Sequence, residues 1–137
     1  MTLECTLVFE KSIPIPYTVV EATAVNKGSV MKLTDPMSAA ITAGDTDICA
    51  GIAAKDKIAS DGNTKLSIYT SGIFKGYAGA AGVTVGAAII TDTATGAANE
   101  LVNADVNSEN IVGRSLETAT DGQSFLFELK PMTVNLA

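Results

Sequence analysis

Few residues of this chain could carry chemistry, and its closest pair of acids lies on a turn. Asp45 and Asp47 stand one residue apart in Gly44-Asp45-Thr46-Asp47. Two carboxylates that close could flank a glycosidic bond, one as acid and one as base or nucleophile. Their Thr/Gly setting is equally that of a solvated turn, where Asp is the ordinary choice. The same stretch could offer oxygens to calcium, but it lacks the third acid, the loop Gly and the distal Glu of an EF-hand. Gly76-Tyr-Ala-Gly79-Ala-Ala-Gly82 has the look of a phosphate loop, yet no Lys-Ser/Thr follows Gly82. Close backbone approach, in a tight loop or at a subunit contact, accounts better for these glycines. Cys5 and Cys49 fit no metal spacing, and neither has a basic cluster that would lower its pKa. They read as small buried hydrophobes of a reducing compartment, with a disulfide the lesser alternative.

The missing residue types narrow the field further. The chain has no His, so the commonest general base and the commonest transition-metal ligand are both absent. It has no Trp, so a sugar-stacking platform would rest on Tyr17, Tyr69 or Tyr77. We therefore expect no catalytic residues, no cofactor and no metal. The formal charge is −6 and Arg114 is the one arginine, which argues against nucleic acid as a partner. A membrane partner is not expected either. The uncharged run from Gly76 to Thr91 contains four glycines and is shorter than the roughly 20 large apolar residues of a spanning helix. The N-terminus, with Glu4, Glu10 and Lys11, does not read as a targeting segment.

The elements that position these residues read as short strands. With 137 residues the chain makes one domain, and apolar residues reach 47% with aromatics only 5%, so the core should be thin and tightly packed. Leu3, Cys5, Leu7 and Phe9 alternate with Glu4, Thr6 and Val8, as on a half-buried strand. Ile13-Pro14-Ile15-Pro16 is extended and poor in donors, which suits an arm or an edge and not the middle of a sheet. Strands are expected over Ser29 to Thr34, Ile48 to Ala53, Lys65 to Thr70 and onward from Ile73-Phe74. Ala53 to Ser60 could form one or two helical turns, and Asp61-Gly62-Asn63 is a turn.

The turn and strand landmarks recur. Val25-Asn-Lys-Gly28 leads to Thr34-Asp35, and Val83-Thr-Val-Gly86 leads to Thr91-Asp92, about sixty residues later. Each half adds an Ile and a Gly, an Asp-Gly, and a closing alternating strand, Leu66-Ser-Ile68 or Phe125-Leu-Phe127-Glu-Leu129. Duplication would produce this pattern, and so would any β-protein built on Gly turns. The expected fold is all-β: a small barrel or sandwich of short Gly-turned strands, with at most one short helix, and the recurring landmarks offer two similar halves as one way to build it. Residues 1–18 form an N-terminal arm or edge strand, and residues 19–137 form a single β domain.

Two features remain as interaction candidates. Ile73 and Phe74 are either ordinary core or a contact surface. The arm residues Leu3, Leu7, Phe9, Ile13, Pro14, Ile15, Pro16 and Tyr17 are apolar and pre-extended, so ordering them on a partner costs little.

Several runs together resemble a family. They are Ile13-Pro-Ile-Pro-Tyr-Thr, Lys27-Gly28-Ser-Val-Met-Lys-Leu-Thr-Asp-Pro36, Ala50-Gly-Ile-Ala-Ala54, Ile58 through Asp61-Gly62-Asn63 to Phe74, and Val112-Gly-Arg-Ser-Leu-Glu117. The sequence resembles the small head-decoration (cement) proteins of tailed viruses over most of residues 13 to 129, least well over Thr93 to Asn107. The resemblance implies a non-catalytic virion protein, made in the host cytoplasm and bound to the outer surface of an icosahedral capsid. Its implied partners are the major capsid protein and itself, as a homotrimer. In that setting Leu3 to Phe9 would add a strand to a capsid edge, with Ile13, Ile15 and Tyr17 filling pockets. The competing reading is a glycan-binding or adhesion module displayed on a particle or cell.

Overall fold

The computed structural model describes residues 4–41, 48–91, 100–104 and 108–135. All regular structure among them is strand. The elements are β1 (Thr6–Phe9), β2 (Ile15–Thr18), β3 (Val30–Thr34), β4 (Ser38–Ile41), β5 (Cys49–Ala53) and β6 (Lys65–Tyr69). They continue with β7 (Gly72–Ala78), β8 (Ala88–Thr91), β9 (Glu100–Asn103), β10 (Ser108–Ser115) and β11 (Ser124–Asn135). The strands make two five-stranded barrels, in line with the all-β expectation.

The first barrel closes in the order β2-β4-β3-β5-β6 and the second in the order β7-β9-β8-β10-β11. Position by position the pairing is the same. The β2–β4 and β7–β9 contacts are parallel, and all the other pairs are antiparallel. Val30 pairs with Ile52 and Ile52 with Tyr69; in the second barrel Ala88 pairs with Arg114 and Arg114 with Glu128. Even the isolated bridges correspond, Val25 with Lys57 and Val83 with Ala119. The strand-opening glycines Gly28 and Gly86 have φ of 85° and 83°, a conformation that disfavours other residues. The repeated landmarks of the sequence are thus the turns and strand starts of two superposable topologies.

Period-2 alternation directs each closing strand. In β6, Leu66 and Ile68 point inward; in β11, Phe125, Phe127 and Leu129 do the same. The first barrel's interior holds Val25, Met31, Ala39, Ala50, Leu66 and Ile68. A second cluster fills the other barrel around Phe74, Phe125 and Phe127, whose rings lie 5.7–6.1 Å apart. That cluster also takes in Val30, Cys49 and Ile52 from the first barrel. All of β5 is buried: Ala50 and Ala53 join one cluster, Cys49 and Ile52 the other. β5 is the wall the two cores share.

Residues 4–18 do not project as an arm. β1 is an edge strand, paired antiparallel with β7 alone among the described strands. β2 is a stave of the first barrel, so the Ile-Pro-Ile-Pro run does enter a closed sheet. It can do so because β4 meets β2 only at Thr18, past both prolines, and β6 is the one neighbour along Ile15 and Pro16. Ala53 to Ser60 is not helical. Lys57 there pairs backbone to backbone with Val25, and its buried ammonium donates to the carbonyls of Glu21, Thr23 and Ile58 at 2.6–3.2 Å. Three carbonyl acceptors on one cation shape that loop more strongly than the local helical preference. Gly76, expected in a loop, lies within β7, where a Cβ would press on the Phe127 ring.

Candidate functional site

The chemistry-bearing residues do not converge. Asp45 and Asp47, the carboxylate pair, lie outside the described residues. Cys5 and Cys49 are reduced and sealed in the shared core, and burial pushes both thiols up to about 12, so neither offers a thiolate. Tyr69 is half-buried, edge-on to Phe74 at 5.7 Å, and Tyr17 packs on the first barrel's core. No group of metal-ligating side chains occurs among the described residues.

The expected contact residues divide. Leu3 lies outside the described residues. Phe74, at 1% exposure, is core, so of the two readings weighed for it the ordinary one describes the fold. Ile73 and Leu7 are half-buried, as are Pro14 and Tyr17. Phe9 is 61% exposed, Ile13 80% and Ile15 40%, with Pro16 also exposed. Phe9 ends β1, Ile15 begins β2, and Ile13 lies between, with Ser12 hydrogen-bonded to Ser71 across the inter-barrel connection at 2.6 Å. Phe9, Ile13 and Ile15 are therefore exposed within one short stretch, where the chain passes from β1 to β2.

A second surface was not anticipated. An open groove of about 320 Å³ runs over the outside of the second barrel, lined by Gly86, Ala88, Ile111, Gly113, Arg114, Glu128, Lys130 and Met132. Glu128 accepts from the Lys11 ammonium at 2.6 Å and from Arg114 at 3.4 Å. The Lys11 hydrogen bond first, then the Lys11, Arg114 and Lys130 charges, holds the Glu128 carboxyl below the usual range. Three cations thus surround one carboxylate on a protein of net charge −6. The sequence carried a signal for this: Glu128 and Lys130 flank the buried Leu129 on one strand, and Arg114 pairs directly with Glu128. Pairing β10 with β11 was needed to see it.

Comparison with known proteins adds the following. A family model described as phage cement protein matches residues 10–130, a span through both barrels. Among solved structures, the head fiber gp8.5 N base in bacteriophage phi29 is similar with a TM-score of 0.55. The likeness covers 85% of this chain and 92% of that one at 19% identity, and it is one of fold. No curated protein matches the chain.

Proposed function

The chain belongs to the phage cement protein family, and from that premise we propose that it decorates the outer surface of an icosahedral head and stabilises it, bound to the major capsid protein. A structural role on the phage capsid follows from the family itself. The observation that carries the finer reading is the exposure of Phe9, Ile13 and Ile15 along the stretch that ends the one-sided edge strand β1 and follows it. An edge strand leaves backbone donors and acceptors for a further strand, and the neighbouring apolar side chains supply anchors. Each large side chain buried on docking contributes about 1.5–3 kcal/mol before ordering costs. Modest gains per copy accumulate when many copies bridge junctions of one lattice. A homotrimer would place three such groups over one threefold position.

Heads stripped of the protein and then reconstituted test this. Wild type should restore regularly spaced protrusions in electron micrographs and raise the temperature at which heads release DNA. Phe9→Asp with Ile13→Asp should fold normally yet restore neither. Rebinding by that double variant as tight as wild type would remove Phe9 and Ile13 from the contact; heads that bind no wild-type protein would end the decoration reading.

A further inference from the structure

The first barrel's outer face is covered, by Glu4 and Cys5 over Gly28 and by the second barrel's core over Val30 and Ile52. The Cys5 amide donates to the Gly28 carbonyl at 3.0 Å. Glu4 and Cys5 lie so close over Gly28 that a Cβ there would strike both. Gly28, Val30 and Ile52 are buried on this face. In the second barrel the equivalent residues are Gly86, Ala88 and Arg114, by strand register, and all three are exposed. Nothing lies within 4 Å of a Cβ built on Gly86. The same scaffold therefore presents one face covered from within the molecule and the equivalent face open as the 320 Å³ groove.

The side chains on the open face indicate what fits. Where the first barrel has Ile52 and Tyr69, the second has Arg114 and Glu128, with Lys11 and Lys130 beside them. Glu128 is occupied chiefly by Lys11 at 2.6 Å; its contact with Arg114 is the longer one, at 3.4 Å, and the Arg114 side chain is 60% exposed. A guanidinium so placed can still offer a two-pronged donor set to an incoming carboxylate. Ala88, Ile111 and Met132 supply apolar floor beside it.

We propose that this groove docks an extended acidic peptide segment of a shell subunit, a carboxylate side chain meeting Arg114 and Lys130 while an apolar neighbour lies against Ala88 and Met132. The source of the segment rests on the capsid reading above; the chemistry of the groove does not.

Two measurements separate these. The first is an amide NMR titration of the full chain with a short capped peptide alternating Val and Glu, set against its Val/Lys counterpart. Saturable shifts at Gly86, Ala88 and Gly113 with the acidic peptide only, weakened at least about tenfold by Arg114→Ile, are expected. Arg114→Ile copies the residue of the first barrel, so the variant should fold. Absence of saturable shifts at millimolar peptide, or equal response to the Val/Lys peptide, would overturn the groove. The second is binding to stripped heads by wild type, Arg114→Glu and, as a remote charge control, Lys55→Glu. A loss of at least about tenfold for Arg114→Glu alone supports the proposal, and unchanged binding by Arg114→Glu overturns it. If wild type binds no heads while the titration still maps to the groove, the capsid source falls and the acidic-peptide site stands.

Discussion

The two barrels have the same strand order, the same register and matching turn glycines, but they use the same outer face in opposite ways. In the first, Val30 and Ile52 are fully buried and the face is sealed into the second barrel's core. In the second, Ala88 and Arg114 occupy those positions and face solvent. The interiors differ in kind as well: Ile68 and Leu66 fill one, Phe127 and Phe125 the other. A repeated backbone thus tolerates large changes in side-chain size and polarity as long as turns and inward positions keep their spacing. Duplicated topology provides a packed face for internal cohesion and an equivalent open face for a partner.

The largest effect should come from the closest backbone approaches. A Cβ on Gly51 would run into the Tyr69 carbonyl and one on Gly113 into that of Glu128. Gly51→Ala and Gly113→Ala should each lose on the order of 4 kcal/mol or more, read from urea unfolding. Equal losses would show that the β5–β6 and β10–β11 contacts are equally tight; a mild effect at one would break the equivalence of the two barrels. Truncating the inward pair comes next. Phe127→Ala should cost about 3–5 kcal/mol and Ile68→Ala about 2–5. Because β5 joins both cores, calorimetry should show one transition for each variant, and two separate transitions would mean that the barrels unfold independently.

The third prediction concerns a position where the barrels differ most. Lys57, its side chain 2% exposed, binds three carbonyls and lies 3.3 Å from Asp61; the bridge residue in its place in the second barrel is Ala119. Lys57→Ala should cost about 3 kcal/mol, since it strands buried carbonyls, whereas Ala119→Gly should cost only about 1. Similar losses at both sites would remove the contrast.

The smallest effect is a pH dependence. The folded-state pKa of Glu128 is lowered, so its contribution is present above the unfolded carboxylate value, about 4.3, and fades as acid protonates it in the folded state. Glu128→Gln should flatten the melting temperature below about pH 4.5 and change it little at pH 7. Asp61, lowered first by the Asn63 amide, titrates in the same sense on the first barrel, and Asp61→Asn is the matching control. If Glu128→Gln left the acid limb unchanged, the ion cluster would have no part in stability.

Much of the scaffold could be read from the chain. Gly28, Gly86, Asp61-Gly62 and Asp121-Gly122 mark turns, and Leu66-Ser-Ile68 and Phe125-Leu-Phe127 mark half-buried strands, because these signals are local. β4 and β9 carry little local signal: Ser38-Ala-Ala-Ile has little β-branched character, and each strand closes its barrel by parallel pairing to a strand well back in the chain, β2 or β7. The candidate surfaces were half legible. Exposed Phe9 stands out on an alternating strand and exposed Ile13 and Ile15 in a Pro-stiffened run, but Phe74 in an equally apolar run is core. Hydropathy does not say which apolar residues remain uncovered.

By itself, the sequence determined the strand class, the repeated turn frame and the poverty of catalytic groups, since φ preferences, period-2 alternation and residue inventory need no tertiary partner. Only the tertiary structure decided that a Pro-rich stretch becomes a barrel stave, that β5 serves two cores, and that Lys11, Arg114 and Lys130 gather on Glu128. Those outcomes depend on which strands pair across long stretches of chain, and pairing is settled by the free energy of closing and packing whole barrels, a quantity that no short window of residues contains.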